Sequence, residues 1–479
     1  MTNMTVDEIL FFALESTNRP MHAGGVFLFE PAEGQTGAEL ADEIMAALLE
    51  SPPSPPWNQH PVFGIGSRPH WELMRELDLG YHVRRISLPA PGSMHQLMDL
   101  VSGLFPALLD RSRPLWQVEL IDGLERDRLA LHLKFHHALA SDAVMGLRML
   151  TGWLRESPQD RPLPPWAVSA EPQPETTDKG RGLRVIGGLA KVAPQIVKAA
   201  PQIVKVLPEA VRLVRDEDLP FSAARTPRMA AYMSSARSYS AFDIPLSEAR
   251  QIREHTGGTV NDVLMTVCDE ALQRYLEESG GNRDQPMTAL MAVSTRRPGD
   301  ESAGVGAATV VVKLGEPEAS PAERLAQVVS ATNRAKSVVR QTSGTTLKLQ
   351  MWLLQGAAGL REQLPFGRGS VPNFANFTLS NIQGGFQEPR YVGKAKLAAI
   401  YPTPIAPASQ DVNFTAVPCG DLLCVGVGAA RNVFPDTNRL AELAVEAYDE
   451  LKASVLTPAR RPRSGDRRKR PPSPVSGGV

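Results

Sequence analysis

The sequence predicts an α/β protein of two halves with mixed sheets, joined by a long linker. Three observations carry that expectation. Residues 1–155 alternate apolar runs of strand length with stretches of helical apolar spacing. Residues 156–178 are rich in Pro and polar side chains and follow neither period. From about Arg225 the alternation resumes and continues to Leu456. The 479 residues allow two or three domains. The expected division is an N-terminal domain at 1–155, a linker at 156–224, a C-terminal domain at 225–457 and a basic disordered tail at 458–479.

In the first half, Val6–Ala13 has the spacing of a short helix and Ala23–Phe29 the apolar density of a strand. Ala38–Leu49 returns to the helical period, and Tyr81–Leu88 alternates as a strand. Met94–Leu109 is an amphipathic helix by the same criterion. Trp116–Ile121 and Leu129–Phe135 are strand-like, and Val144–Leu154 is the helix that follows them. In the second half, strand Arg237–Asp243 precedes helix Leu246–Glu254. Val260–Glu277 is a long helix, with apolar residues at Val263, Leu264, Val267, Ala271, Leu272 and Leu276. Strands follow at Ala289–Ser294 and Val305–Leu314, then a helix at Pro321–Gln341. Phe377–Asn381, Leu397–Tyr401, Asp411–Ala416 and Leu422–Gly428 are further strands, and Asn438–Leu456 is the final helix.

Within the linker, a seven-residue repeat begins at Lys191, Lys198 and Lys205, with Pro194, Pro201 and Pro208 recurring in step. On a helix the lysines share one stripe and the Ile/Val pairs another. Each Pro costs about 3 kcal/mol in a helix interior, so a kinked amphipathic segment is expected instead of a straight helix. Lys179 to Pro208 holds six basic residues and no acid. Two readings stay open: contact with a membrane surface or lipid droplet, or packing of Ile and Val against the second half.

Composition narrows the function classes. The chain has 51 Lys+Arg against 52 Asp+Glu, a net charge of −1, which argues against a nucleic-acid binder working through a basic domain. Arg460–Arg470 holds seven basic residues and one acid, so the rest of the chain sums to −7. Cys268, Cys419 and Cys424 are too few for a disulfide framework and lack zinc-site spacing. They are expected as buried thiols in a cytoplasmic protein with no metal site. No uncharged apolar run reaches the length of about 18 residues that a spanning helix needs, and the first residues lack the basic region of a signal peptide.

The chemistry concentrates at the end of one strand, in Lys134-Phe135-His136-His137, followed by Ser141-Asp142-Ala143. Neighbours on an extended chain point to opposite faces, so at most one of these imidazoles meets a given cleft. An imidazole held at a strand end is suited to take a proton from a hydroxyl near neutral pH. Asp142 is placed to begin the following helix as its cap. A His-His pair alone is weak evidence and more often has a structural role.

Around this pair the sequence resembles the bifunctional wax ester synthase/diacylglycerol acyltransferase family. The family signature reads His-His-x-x-x-Asp-Gly and opens a helix Asp-Gly-Val-x-Gly. Asp142-Ala143-Val144-Met145-Gly146 matches that helix in register, with one extra residue within Ala138–Ser141 and Ala143 in place of Gly. Arg113-Pro114-Leu115-Trp116 resembles the family's Arg-Pro-Leu-Trp segment, and Val260-Asn261-Asp262-Val263 its Val-Asn-Asp-Val helix start. Val293-Ser294-Thr295-Arg296 resembles its second-domain strand. Ser380-Asn381-Ile382-Gln383-Gly384 resembles Ser-Asn-Val-Pro-Gly, with Gln383 for Pro, and Met21-His22-Ala23-Gly24-Gly25 resembles the N-terminal strand. These stretches run in family order from Met4 to about Leu456.

The resemblance implies two chloramphenicol acetyltransferase-like domains, whose channel reaches the histidine from both faces. It implies His137 as general base, with His136 and Asp142 completing the catalytic motif in mainly structural roles. Long-chain acyl-CoA would be the donor substrate and diacylglycerol or a fatty alcohol the acceptor, with no cofactor required. Asn261, Ser380, Asn381 and Gly384 are the expected substrate-binding residues. Pro114, Trp116, Asp262 and Arg296 are the expected structural ones. From the residues alone, Asn261-Asp262 is an N-cap and first-turn acid, and Pro114 a turn before a core aromatic. Arg296 either pairs with Asp142 across the halves or caps a strand. The turn after Ser380-Asn381 offers N–H groups to a thioester oxygen or a pantetheine amide. The enzyme is expected at the periphery of the inner membrane or lipid inclusions. The alternative, a catalytically weak lipid-binding paralogue or acyl transfer to another lipid alcohol, rests on the altered signature and the two basic segments.

Overall fold

Apolar strands flanked by capped helices build this protein, and its computed structural model describes residues 2–64, 67–140, 143–167, 234–294, 307–342, 375–382, 385–405 and 411–457. The seven-residue repeat and the basic tail lie outside the described residues. The first half runs β1 (Thr2–Asn3), α1 (Val6–Leu14), β2 (His22–Glu30), α2 (Gly37–Glu50), β3 (Gln59–Val62), β4 (His70–Leu73), α3 (Leu79–His82), β5 (Val83–Ser87), α4 (Met94–Leu104), β6 (Trp116–Asp122), β7 (Leu129–His136) and α5 (Ala143–Thr151). The second runs β8 (Arg237–Pro245), α6 (Leu246–Thr256), α7 (Val260–Glu278), β9 (Thr288–Ser294), β10 (Ala307–Lys313), α8 (Pro321–Gln341), β11 (Phe377–Asn381), β12 (Tyr391–Val392), β13 (Ala395–Thr403), β14 (Val412–Cys419), β15 (Leu422–Ala430) and α9 (Thr437–Leu456).

Two six-stranded mixed sheets result, ordered β12-β13-β2-β7-β6-β5 and β10-β9-β11-β14-β15-β8, with a small sheet β1-β4-β3. The parallel pairs are β5–β6 in the first and β9–β11–β14 in the second. The first order holds a topological surprise. β12 and β13 lie far along the second half of the sequence, yet β13 pairs antiparallel with β2, from Lys396 opposite Glu30 to Thr403 opposite Gly24. Periodicity detects a strand at Leu397–Tyr401 but cannot name its partner, because both sheets offer an apolar face.

β13 also packs closely on the second sheet. A Cβ at Gly426 of β15 would sit 1.7 Å from the Pro402 carbonyl oxygen, so only glycine lets the two backbones approach there. Polar ties accompany the contact. The Tyr239 hydroxyl donates to the Pro404 carbonyl at 3.1 Å, and its N–H donates to Ser102 Oγ of α4 at 2.8 Å. The Tyr401 hydroxyl donates to Asp243 Oδ2 at 2.9 Å, and the buried Arg237 guanidinium donates to the Asn18 carbonyl.

Other differences from the sequence reading have local causes. One helical turn, α3, precedes β5, because His82 is drawn in by a hydrogen bond to the Trp116 carbonyl at 2.8 Å and stacks on that indole. α4 ends at Leu104 and not Leu109, since Pro106 cannot continue the hydrogen-bond ladder. On α7, Val263, Leu264, Val267, Ala271, Leu272 and Leu276 are all buried, as the helical period requires. No helix among the described residues is long and apolar enough to cross a membrane.

Two glycine substitutions separate packing from propensity. Gly426→Ala should cost about 3 kcal/mol by overpacking against β13. Gly103→Ala, on an open face of α4 with nothing within 4 Å, should add about 0.5–1 kcal/mol. Urea unfolding of both variants checks the opposite signs.

Candidate active site

β7 ends at His136, and a 3₁₀ turn at His137–Leu139 redirects the chain. Both histidine amides are held. The His136 N–H donates to the Leu115 carbonyl at 2.9 Å, and the His137 N–H to the Met21 carbonyl at 2.7 Å. The elbow is thus pinned between the Pro114–Trp116 segment and the start of β2. Trp116 is fully buried, and its indole N–H donates to the Trp57 carbonyl at 2.6 Å. Pro114 is buried beside it.

The rings then diverge. His136 stacks on Phe12 with centroids 4.4 Å apart, and His137 stacks on Phe11 at 4.3 Å. His136 Nδ1 accepts the Ala138 N–H at 3.1 Å, which places a ring proton on Nε2, 3.3 Å from Glu15 Oε1. His137 differs: it is half-buried, and its Nδ1 has no hydrogen-bond partner among the described residues. Desolvation pushes its pKa down to about 4, so the ring is neutral at physiological pH.

Glu15, just beyond α1, is the charge at the centre of this group. Its carboxylate is 3% exposed and accepts the Met21 N–H at 3.2 Å and Arg111 Nη2 at 2.8 Å. His22 Nε2 lies 3.6 Å away. Burial alone would raise this carboxyl's pKa, but His136 and Arg111 outweigh burial and hold it at about 2. Desolvation, aided by the Lys134 charge, pushes His22 down to about 3, while its Nδ1 faces the Phe105 carbonyl at 3.1 Å. Lys134 is buried and donates to the Leu104 and Ala107 carbonyls at 3.0 and 3.1 Å, with burial drawing its pKa down to about 8. Glu15 and Arg111 escape sequence reasoning. A carboxylate at a helix end looks solvated until the chain returns at Met21 and Arg111 to cover it.

The remaining expected site residues lie on the second half. Thr259, not Asn261, caps α7: its backbone is extended and its hydroxyl accepts the Asp262 N–H. Asp262 is the third residue of that helix; it accepts the Thr259 N–H at 2.8 Å and the Thr332 hydroxyl at 2.7 Å. Asn261 is half-buried, and its amide donates to Met291 Sδ at 3.3 Å. Ser380 and Asn381 end β11 opposite Thr415 and Ala416, both half-buried. The next N–H, of Ile382, is taken by the Ala416 carbonyl at 2.9 Å. Asp142, Arg296 and Gly384 lie outside the described residues. Cys268, Cys419 and Cys424 are buried free thiols. A surface cleft of about 780 Å³ between α2, residues 158–164 and Gly393-Lys394 shares no residue with the histidine site.

Comparison with known proteins places these residues in context. The family model described as "Wax ester synthase/diacylglycerol acyltransferase catalytic domain" matches residues 4–264, and "WS/DGAT C-terminal domain" matches residues 304–452. A Mycobacterium tuberculosis protein named "Probable diacyglycerol O-acyltransferase Tgs4" is 35% identical over 470 residues, covering 95% of this chain and 98% of that one. Among solved structures, the wax ester synthase/diacylglycerol acyltransferase from Marinobacter aquaeolei VT8 superposes with a TM-score of 0.73 at 26% identity, covering 95% of this chain and 100% of that one. The first condensation domain of the calcium-dependent antibiotic synthetase shares the fold, with a TM-score of 0.51 at 14% identity over 95% of this chain and 97% of its own.

The desolvated histidines make stability depend on pH. His22 and His137 have folded pKa values below the ordinary 6.5, so the unfolded chain binds protons that the folded one refuses. Their contribution is present above about pH 6.5 and is lost as pH falls toward 4. Glu15, lowered from 4.5 to about 2, adds a further loss below 4.5. Melting temperature should fall between pH 7 and pH 4.5, and His137→Gln should shrink that fall.

Proposed function

The chain belongs to the wax ester synthase/diacylglycerol acyltransferase family, and on that footing we propose that it transfers a long-chain acyl group from acyl-CoA to diacylglycerol, a long-chain alcohol, or both. The products are triacylglycerol and wax ester. The observation that carries the assignment of roles is the asymmetry of the two histidines. His136 is buried, with Nδ1 accepting the Ala138 N–H and Nε2 facing Glu15 Oε1 at 3.3 Å, whereas His137 is half-buried, neutral and has an Nδ1 with no partner among the described residues. A neutral imidazole with a free lone pair is what a hydroxyl proton requires.

In this reading the acceptor hydroxyl gives its proton to His137 as its oxygen attacks the thioester carbonyl. The tetrahedral intermediate collapses by breaking the C–S bond, and the leaving thiolate recovers the proton from His137. No acyl-enzyme is needed, and the reaction calls for no cofactor. Holding both lipidic reactants beside one ring supplies much of the rate, and donors at the carbonyl stabilise the oxyanion. Asn261, Ser380, Asn381 and Gly384 are proposed to line the substrate route from the second half. Asp142, through Arg296, is proposed to steady the segment after His137. The basic linker and tail are proposed to bring the enzyme to anionic lipid at the cytoplasmic membrane or lipid inclusions.

Purified protein is to be incubated with palmitoyl-CoA and either dioleoylglycerol or hexadecanol. His137→Ala should reduce turnover by about 10²–10⁴-fold with both acceptors. Equal product from the two proteins would remove His137 from the mechanism. No product from either would favour the lipid-binding reading, for which the extra residue before Asp142 and the methyl of Ala143 speak. Deleting Arg460–Val479 should weaken binding to anionic vesicles at low salt, and unchanged binding would refute the role given to the tail.

A further inference from the structure

We infer that Glu15, clamped by Arg111, is the positioning residue for the His136-His137 elbow. This rests on the reading of His137 as general base. One carboxylate reaches both histidines by separate routes. Glu15 Oε1 faces His136 Nε2 at 3.3 Å and accepts the Met21 N–H at 3.2 Å. Met21 is the residue whose carbonyl holds the His137 N–H at 2.7 Å. Glu15 Oε2 takes Arg111 Nη2 at 2.8 Å, so neither oxygen is idle.

The tautomer of His136 transmits the effect. Nδ1 accepts the Ala138 N–H at 3.1 Å, so a ring proton sits at Nε2, where the carboxylate 3.3 Å away favours it. That bond opens the 3₁₀ turn on which His137 rides. With the other tautomer, Nδ1–H would confront the Ala138 N–H, donor against donor, and the turn would lose its first bond. The same end of α1 adds a steric clamp through Phe11 on His137 and Phe12 on His136. Arg111 joins the two devices. Its guanidinium lies 5.1 Å over the Phe12 ring and also donates to the Phe12 carbonyl at 3.3 Å. Glu15 acts on the reaction only through these neighbours.

The test compares wild type, Glu15→Gln, Arg111→Gln, Arg111→Lys and His137→Ala in the full chain. Glu15→Gln keeps the length of the side chain and an acceptor for Met21 but removes the charge. It should lower kcat by about 10–100-fold with little change in KM for palmitoyl-CoA, the signature of a displaced base. Arg111→Gln, which changes a half-exposed side chain, should show the same split more weakly, with Arg111→Lys restoring part of it. The double variant Glu15→Gln/Arg111→Gln should lose less than the sum of the single losses, because both act through one network. A second readout is the imidazole nitrogen spectrum of ¹⁵N-histidine-labelled protein, with His136 assigned through His136→Gln. Wild type should show His136 protonated at Nε2 alone, and Glu15→Gln a mixture of tautomers. Wild-type kcat in both Glu15→Gln and Arg111→Gln, or an unchanged His136 tautomer in Glu15→Gln, overturns the inference. Active Glu15→Gln beside inactive His137→Ala would sink this role alone, whereas active His137→Ala would sink the base assignment beneath it. If Glu15→Gln fails to fold, Arg111→Gln and its tautomer decide.

Discussion

The structure depends on β13 lying against β2. That pairing carries a strand from the second half of the chain into the first sheet, and it bears directly on the site. β2 is sandwiched between β13 and β7, with His22 opposite His136 and Thr403 opposite Gly24. The residue before β2, Met21, holds the His137 amide. The second half therefore braces the strand that fixes the elbow. Small residues make the crossing possible. A Cβ at Gly24 would stand 2.3 Å from the Leu133 carbonyl and 2.8 Å from the Thr403 hydroxyl, and Gly426 has the same constraint on the other side of β13.

A second feature follows from the inward face of β7. His132, Lys134 and His136 alternate onto one side of the strand, and all three are buried. Three ionisable groups in a row are tolerable in a core only when each has its own partner. His132 has Glu119 at 2.8 Å, Lys134 has the carbonyls that end α4, and His136 has Glu15. His137 lies beyond the last residue of the strand, where the turn takes it out of this row. It is the half-buried member of the pair, and the division of labour between adjacent histidines comes from where the strand stops.

Much of this was legible from residue order. The stripe of α7, from Val263 to Leu276, reads as a buried helix because burial on a helix repeats every three or four residues, and the structure buries the whole stripe. β6 and β7 show the density of central strands, and the His-His pair marks the end of β7 without any structural knowledge. Legibility fails where meaning depends on a distant partner. Glu15 is a helix-end acid until Arg111, 96 residues on, meets it. Thr259 is an unremarked residue before Asn261-Asp262 until its hydroxyl is seen to take the Asp262 N–H. The hairpin β3–β4 is short and contains Pro61, so it lacks the alternation that reveals longer strands.

Residue order alone was enough for the two-half α/β plan, the position of most long elements, the histidine pair, and the family through motifs in order along the chain. These are local properties: period, turn chemistry and short-range spacing survive without a fold. Tertiary packing alone places β13 in the first sheet, buries Glu15 as a charge, and leaves His137 half-buried where His136 is fully covered. Each of those is a matter of which groups displace water from one another, and residues far apart in sequence settle it only when packing brings them together.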